Sequence, residues 1–251
     1  MEMKTIYEFY AKLHDFKPAI WRRIRVVNTM TVAEFAYVIL TLFEMQASHL
    51  FKVQVPKGEL LMNALQSKEG KHFDFLEFKK KYPEVDKICN TYELLDFIDQ
   101  DFVPQKPNIM VHNVAKSKLS HAVSMISETM QLWYDFGDDW VIDIKLEKIY
   151  KQSMTEVSLF PKVMDGEGYG IIEDCGGVDG LTDLVKAFKN KNSKKYKDYQ
   201  SWLNIDDFDI FKFDQNDMNN RLQVIPKIYK RSYEKKASPT MSEIDYIERR
   251  Y

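Results

Sequence analysis

The sequence has few cysteines, no long apolar run and no excess of one charge. Cys89 and Cys175 are the only cysteines among 251 residues. They are too few for a disulfide framework in a chain of this length, and so indicate a reducing compartment. The longest apolar run, residues 35–43, is much shorter than the ~20 residues of a membrane-spanning helix. The first residues alternate and carry acids, which is not the pattern of a signal peptide. We therefore expect a cytoplasmic protein without a membrane partner.

The balance of charges gives no general attraction to polyanions. Lysine and arginine number 36 and aspartate and glutamate 38, for a net charge of −2, so any binding to nucleic acid needs a local patch. Hydrophobic residues at 45% and aromatic residues at 14% argue against a disordered chain. A chain of this length can also bury a substantial core without disulfides.

Several segments alternate with period two, as half-buried strands do. The segments 5–13 and 20–26 flank a turn-like HDFKPA stretch, which predicts an antiparallel hairpin. A T-V-A-E capping box at Thr31 and Glu34 predicts a helix that follows this hairpin. The segment 49–55 returns to period two and predicts a third strand.

The later segments complete the expected fold. Residues 130–136 and 140–149 flank Gly137, Asp138 and Asp139 and predict a second hairpin. The stretch 56–117 carries helix caps and prolines, and we interpret it as a helical insertion. Helices are predicted near 181–190, 194–203 and 215–234. The predicted fold class is α+β: a mostly antiparallel sheet of about five strands packed by helices, with a helical insertion and a helical C-terminal region.

Arg22 is a charged residue that the alternation of the second predicted strand places on its apolar face. Ile20, Arg22, Ile24 and Val26 share the apolar face of the second strand because side chains alternate. A guanidinium cannot be neutralised by deprotonation, so a buried one is expected to need a carboxylate. The acids of YDFGDDW (134–140) and EDCGG (173–177) are the candidates.

The motifs together resemble a known family. IWRR at 20–23, HL at 49–50, YDFGDDW, EDCGGVDG and WLNIDDFDIFKFDQNDMNNRL occur in the order and approximate spacing of the plasmid pRiA4b ORF-3-like family. The resemblance covers about 1–55 and 118–222, which we expect to form one α+β domain around an insertion at 56–117, followed by a helical extension at 223–251. It implies a domain found on plasmids, near mobile elements and in many microbial genomes, with no established biochemical activity.

The chain departs from the family pattern at four positions. Ala36 and Phe51 stand where members often have histidines, Val163 where they often have a cysteine, and Met45 where a tryptophan is common. Any metal or reaction that used those residues in relatives would be lost here. These departures favour a protein that is not an enzyme.

The acidic motifs leave two interpretations of their carboxylates open. Their carboxylates could hold Mg²⁺ or Mn²⁺ for a metal-dependent hydrolase or nuclease, since hard cations prefer oxygen ligands. The same acids could instead cap turns and pair with arginines, which is the reading we favour. Cys175 lacks a histidine motif beside it and is expected to be an unreactive thiol, and His49 is expected to be a packed residue. The residues expected to form a binding or structural polar cluster are Trp21, Arg22, Arg23, Asp135, Asp138, Asp139, Trp140, Glu173 and Asp174.

A lysine-rich stretch follows the glycine-rich loop. The possible nucleic-acid patch consists of Lys186, Lys189, Lys191, Lys194, Lys195 and Lys197. Such a patch could follow a phosphate backbone, but a solvated helix face, or pairing with the acidic stretch 206–217, explains it equally well.

These patterns favour a non-catalytic interaction module that binds a protein or nucleic acid partner. The partner surface would be the sheet face carrying Trp21, Arg23 and Trp133, or the basic C-terminal helices. We assign no catalytic residue, no metal ligand and no cofactor from the sequence. The alternative is the metal-dependent hydrolase or nuclease built on the acidic motifs.

Overall fold

The computed structural model describes residues 3–58, 61, 74–95, 108–153 and 160–248. Within them the chain forms one eight-stranded sheet in the order β5-β4-β3-β6-β7-β1-β2-β8. The strands are β1 (Met3–Leu13), β2 (Trp21–Val27), β3 (Phe51–Pro56), β4 (Cys89–Glu93), β5 (Ile109–Asn113), β6 (Thr129–Tyr134), β7 (Trp140–Ser153) and β8 (Lys162–Glu167). The β4–β5 pair is parallel, and the other neighbouring pairs are antiparallel.

The predicted sheet of about five mostly antiparallel strands is therefore wrong. The sheet is mixed and has three further strands: β8 on one edge, and β4 and β5 on the other. Two of these, β4 and β5, lie within 56–117. The described part of this stretch is therefore mixed rather than purely helical, although it does contain a helix at Phe75–Lys81. The family resemblance did not cover this stretch, and its short strands lack a clear alternation.

The other regular elements within the described residues are eight helices and a short 3-10 helix at Val85–Lys87. The helices are α1 (Val32–Leu42), α2 (Phe75–Lys81), α3 (Leu119–Ala122), α4 (Gly177–Lys189), α5 (Lys194–Leu203), α6 (Gln215–Leu222), α7 (Ile225–Lys235) and α8 (Met241–Ile247). The capping boxes at Thr31 of α1 and Thr240 of α8 are both formed. None of the helices within these residues is long and apolar enough to cross a membrane.

The first helix, α1, lies at the centre of the molecule. Ten of its eleven residues are buried, as expected of a helix that is apolar on all sides. Phe35 packs on Phe9 of β1, with ring centroids 4.7 Å apart, and Tyr37 stacks on Tyr233 of α7 at 5.6 Å. One face of the sheet thus packs on α1, and α7 covers the other side of that helix. We call the opposite face, with Tyr10, Trp21, Arg23, Lys52 and Trp133, the outer face of the sheet.

Candidate functional site

Arg22 lies on the buried face of β2 and is inaccessible to solvent, as the alternation of the strand predicts. Its guanidinium has five N–H groups, and each donates to a main-chain carbonyl. The Nε group donates to Leu42 at 3.0 Å. The Nη1 atom donates to Trp21 and Glu167, both at 2.8 Å, and the Nη2 atom to Gly168 at 2.8 Å and Tyr169 at 2.7 Å.

These acceptors correct the expected partner of Arg22. They are main-chain carbonyls, three of them from residues 167–169, rather than a carboxylate of YDFGDDW or EDCGG. The ring of Phe213 lies 4.3 Å from the guanidinium carbon and adds a cation–π contact. The arginine therefore joins β2, the end of α1 and the loop that follows β8.

The loop after β8 brings Glu173 to the end of the sheet. The Ile171 N–H donates to the Phe43 carbonyl at 3.0 Å. A Cβ on Gly170, which has a φ of 147°, would lie 2.6 Å from that carbonyl oxygen, so only glycine allows this approach. The loop is thus held against the end of α1, and Glu173 follows two residues later.

Glu173 is buried, with 8% of its surface exposed. Its Oε1 atom accepts hydrogen bonds from the Gln46 main-chain N–H and from the Tyr134 hydroxyl, both at 2.6 Å. Burial is the largest influence and raises the pKa of this carboxyl group above its ordinary value, although both hydrogen bonds oppose the shift. Its Oε2 atom is buried and has no hydrogen-bond partner within the described residues.

Asp135 lies beside Glu173 because of the β6–β7 turn. Its φ of 52° is left-handed, a conformation that aspartate tolerates better than most residues. Its Oδ1 atom accepts from the Gly137 N–H at 3.0 Å. Its carbonyl accepts from the Asp139 N–H at 2.7 Å. The turn therefore fixes the Asp135 carboxylate and leaves its Oδ2 atom directed away from the turn.

His49, expected from the sequence to be a packed residue, completes a group with these two acids. Because Phe51 of β3 pairs with Tyr134 of β6 in antiparallel register, the two residues before β3, of which His49 is the first, lie at the same end of the sheet as the turn after β6. The His49 Nε2 atom is 3.6 Å from Asp135 Oδ2 and 3.9 Å from Glu173 Oε2. Potential ligand atoms of these three residues all lie within 4.8 Å of one another. We call His49, Asp135 and Glu173 the His49 cluster.

The other acids of the two motifs have different environments. Asp174 is exposed, with its Oδ1 atom 3.4 Å from His49 Nε2. Asp138 accepts from the Gly176 N–H at 3.1 Å, beside the N-terminus of α4, where a negative charge is favourable. Asp139 adopts a φ of 52° in the turn, and Trp140 is fully buried at the start of β7. The five acids therefore do not form a single group.

Trp21 and Arg23 lie on the outer face, away from Arg22. The Arg23 Nε group donates to Glu147 at 2.9 Å, and this pair raises the pKa of Arg23. The Trp21 ring stacks on Tyr10 with centroids 5.5 Å apart, and the Arg23 guanidinium lies 5.6 Å and 5.8 Å from these two rings. The residues predicted as one polar cluster thus lie in three places: the outer face, the interior around Arg22, and the end of the sheet.

Part of the predicted lysine patch is paired with acids. Lys195 contacts Asp183 at 2.6 Å and Lys186 contacts the same carboxylate at 4.0 Å. Lys191 lies 3.6 Å from Asp207, within the acidic stretch proposed as an intramolecular partner. Lys189, Lys194 and Lys197 are exposed on or beside the same helices. The positive charge of this surface is therefore partly neutralised.

Cys175 has the properties of an unreactive thiol. Burial, and then the charge of Asp138, raise its pKa to about 12, whereas a nucleophilic cysteine needs a lowered pKa. Its thiol points to the Gly177 carbonyl at 3.7 Å. These contacts oppose a role for Cys175 as a nucleophile.

Comparisons with known proteins agree with the motifs. The family model described as plasmid pRiA4b ORF-3-like protein matches residues 5–217. An uncharacterized protein of Sinorhizobium fredii, y4hQ, is 27% identical over 93 residues, which are 37% of this chain and 46% of that relative. The match therefore spans about half the length of this curated relative.

The fold is also similar to that of a solved structure. The crystal structure of a protein of unknown function from Methanosarcina mazei Go1 aligns with a TM-score of 0.62 and 22% identity, covering 85% of this chain and 97% of that chain. At this level of identity the similarity shows a shared fold.

Proposed function

This chain belongs to the plasmid pRiA4b ORF-3-like protein family, and from that premise we propose that it is a non-catalytic module that binds a protein partner on the outer face of its sheet. The observation that carries the proposal is the arrangement of aromatic rings and cations on this face. Tyr10, Trp21 and Arg23 form one group. Lys52 lies 5.2 Å from the ring of Trp133 and 5.3 Å from that of Phe136 and forms a second group.

Both groups contain a tryptophan, and the first also contains a tyrosine and an arginine, the residue types enriched in binding hot spots. Tryptophan, tyrosine and arginine are enriched among the residues that dominate the energetics of protein interfaces. Tryptophan and tyrosine in addition bury large areas at a low cost in conformational entropy. Tyr10, Trp21 and Trp133 are partly exposed on regular strands, and Phe136 is 51% exposed. The main-chain positions of Tyr10, Trp21 and Trp133 are fixed by the sheet, so binding through these residues would cost little additional ordering.

The charges of the outer face favour a protein over a nucleic acid. Arg23 pairs with Glu147, and Arg25 and Lys148 both pair with Glu8 at 2.7 Å. A phosphate backbone would have to compete with these carboxylates for each cation. A protein interface accommodates such neutral ion pairs together with aromatic rings.

The test uses the full-length chain as bait against a displayed peptide library, followed by calorimetry with the selected peptides. The binding variant is Trp21→Ala with Arg23→Ala, and the control is Lys189→Ala with Lys197→Ala on the helices. We expect the binding variant to lose at least ~10-fold in affinity while the control keeps the affinity of the unmodified chain. Circular dichroism verifies that both variants are folded.

Two results would overturn this proposal. One is a set of selected peptides whose affinity is the same for the binding variant and the unmodified chain. The other is salt-dependent binding of single-stranded DNA or RNA that is lost in the binding variant, because it would make nucleic acid the ligand of the same face.

A further inference from the structure

The His49 cluster has the spacing of a metal site. The His49 Nε2 atom lies 3.6 Å from Asp135 Oδ2 and 3.9 Å from Glu173 Oε2. Ligand atoms at about 2.1 Å from a tetrahedral Zn²⁺ are roughly 3.4 Å apart. Small side-chain movements would therefore bring all three atoms to coordinating distance.

The second and independent observation is the Oε2 atom of Glu173. It is buried and has no hydrogen-bond partner within the described residues, although leaving a buried polar atom unpaired is unfavourable. This atom faces the imidazole of His49. A cation between them would satisfy the carboxylate oxygen.

Neighbouring groups hold the potential ligands in place, as the surroundings of metal sites usually do. Tyr134 and Gln46 fix the other oxygen of Glu173. The Gly137 N–H fixes the other oxygen of Asp135. The His49 carbonyl accepts a hydrogen bond from the Tyr233 hydroxyl, which anchors the main chain at this position.

We propose that His49, Asp135 and Glu173 bind one divalent transition-metal ion of the zinc or manganese type. One imidazole and two carboxylates suit such ions, whereas Mg²⁺ and Ca²⁺ prefer oxygen ligands alone. His49 is partly exposed, and the exposed Asp174 approaches it at 3.4 Å, so a fourth position is accessible to Asp174 or to water. This site does not depend on the proposed function, since Trp21 and Arg23 lie elsewhere on the sheet.

Three protein ligands and an accessible fourth position are also what a catalytic zinc site needs. The alternative function, a metal-dependent hydrolase, would therefore have its centre at His49, Asp135 and Glu173 rather than at the five acids of the two motifs. Asp138 and Asp139 would support the turn and would not be ligands.

The test is calorimetric titration of the chelator-treated, full-length protein with ZnCl₂, MnCl₂ and MgCl₂ in separate experiments. We expect one equivalent of Zn²⁺ or Mn²⁺ to bind and Mg²⁺ to bind at least ~10-fold more weakly. His49→Ala and Glu173→Gln should each lower the affinity at least ~10-fold. Asp135→Asn is a second ligand variant in case one of these does not fold, and circular dichroism verifies the fold of each.

His14→Ala is the matched control. His14 also lies beside carboxylates, with its Nδ1 atom 2.8 Å from Asp143 and its Nε2 atom 3.2 Å from Asp15, but Asp15 is largely exposed and all three polar groups have partners. This variant should bind the metal as the unmodified chain does. The proposal is overturned if neither Zn²⁺ nor Mn²⁺ binds, if Mg²⁺ binds equally well, or if the cluster variants and the control bind with the same affinity.

Discussion

Arg221 and Glu44 form a buried ion pair that joins the C-terminal helices to the end of α1. The Arg221 Nη2 atom lies 3.0 Å from Glu44 Oε2, and both side chains are 5% exposed. The same guanidinium donates to the carbonyls of Tyr246 at 2.7 Å and Ile247 at 3.2 Å. It therefore links α6 to α1 and to the end of α8.

Loss of this pair should destabilise the protein strongly. We expect Arg221→Met to lower the free energy of unfolding by about 3–5 kcal/mol, because it leaves the Glu44 carboxylate buried without its guanidinium partner. The added change Glu44→Gln should recover part of the loss, since a neutral amide is easier to bury than a charge. Urea denaturation of both single variants and the double variant measures this coupling. Strictly additive losses would show that the two side chains act independently.

A buried arginine paired with an acid was expected from the sequence, but at Arg22. The strand alternation located Arg22 correctly in the interior, because it depends on local geometry alone. It could not identify the hydrogen-bond acceptors of Arg22, because main-chain carbonyls of a distant loop do not depend on which side chains the sequence has there. The acid pair forms instead at Arg221, on a helix whose sequence showed mainly polar residues.

The carbonyl acceptors of Arg22 lead to a second prediction. Arg22→Lys keeps the charge but offers three donors in place of five, so at least two buried carbonyls lose a partner. We expect a loss of about 2–5 kcal/mol in unfolding free energy, measured by urea denaturation. Combining it with Glu173→Gln should give additive losses, because Glu173 does not accept any of the five hydrogen bonds. Recovery of stability in that double variant would contradict the assignment of carbonyl acceptors.

Gly166 supports the same arrangement from the opposite strand. It pairs with Arg22 across β2 and β8, and a Cβ at this position would lie 2.8 Å from the Trp21 carbonyl oxygen and 2.9 Å from Arg22 Cδ. Gly166→Ala should therefore destabilise the protein by about 1–3 kcal/mol in thermal or urea unfolding. Gly137→Ala is the control, since its nearest contact would be a side-chain oxygen of Asp135 at 3.3 Å. Equal effects at both glycines would argue against close packing at Gly166.

The strands missed from the sequence share one physical property. The β8 segment, KVMDGE, contains Gly166 and acids and does not alternate clearly. The β4 and β5 segments have five residues each, too few for a reliable period. All three strands are stabilised by pairing with their neighbours in the sheet, and local propensity does not predict such pairing. By contrast, the capping box of α1 is a local signal and located that helix correctly.

His49 shows why the candidate metal ligands were only partly recognised. The acids of the cluster belong to visible motifs, so Asp135 and Glu173 were both singled out. His49 lies more than eighty residues before Asp135, and its approach depends on the pairing of β3 with β6. The HL pair at 49–50 belongs to the motifs of the family resemblance, but only the pairing of β3 with β6 connects His49 with the acids.

Glu8 occupies the outer face between two cations that lie directly across from it. Arg25 of β2 and Lys148 of β7 are its register partners, and each donates to a different carboxylate oxygen at 2.7 Å. Burial is the largest single influence and raises the pKa of Glu8, but the hydrogen bonds and charges of Lys148 and Arg25 together outweigh it. The pKa of Glu8 is therefore lowered.

A lowered pKa makes the contribution of Glu8 depend on pH. The carboxylate stabilises the folded protein above the unfolded-state pKa of ~4.3, and this stabilisation is lost as pH falls through the lower folded-state value. We expect Glu8→Gln to lower the unfolding free energy by about 1–3 kcal/mol at pH 7 and the difference to shrink below pH ~4. Urea denaturation of the variant and of the unmodified protein between pH 7 and pH 3 measures this difference in unfolding free energy. Glu84→Gln, at an exposed pair with Lys87, is the control and should change stability by less than ~0.5 kcal/mol at either pH. A difference for Glu8→Gln that stays constant from pH 7 to pH 3 would show that the paired charges are not its cause.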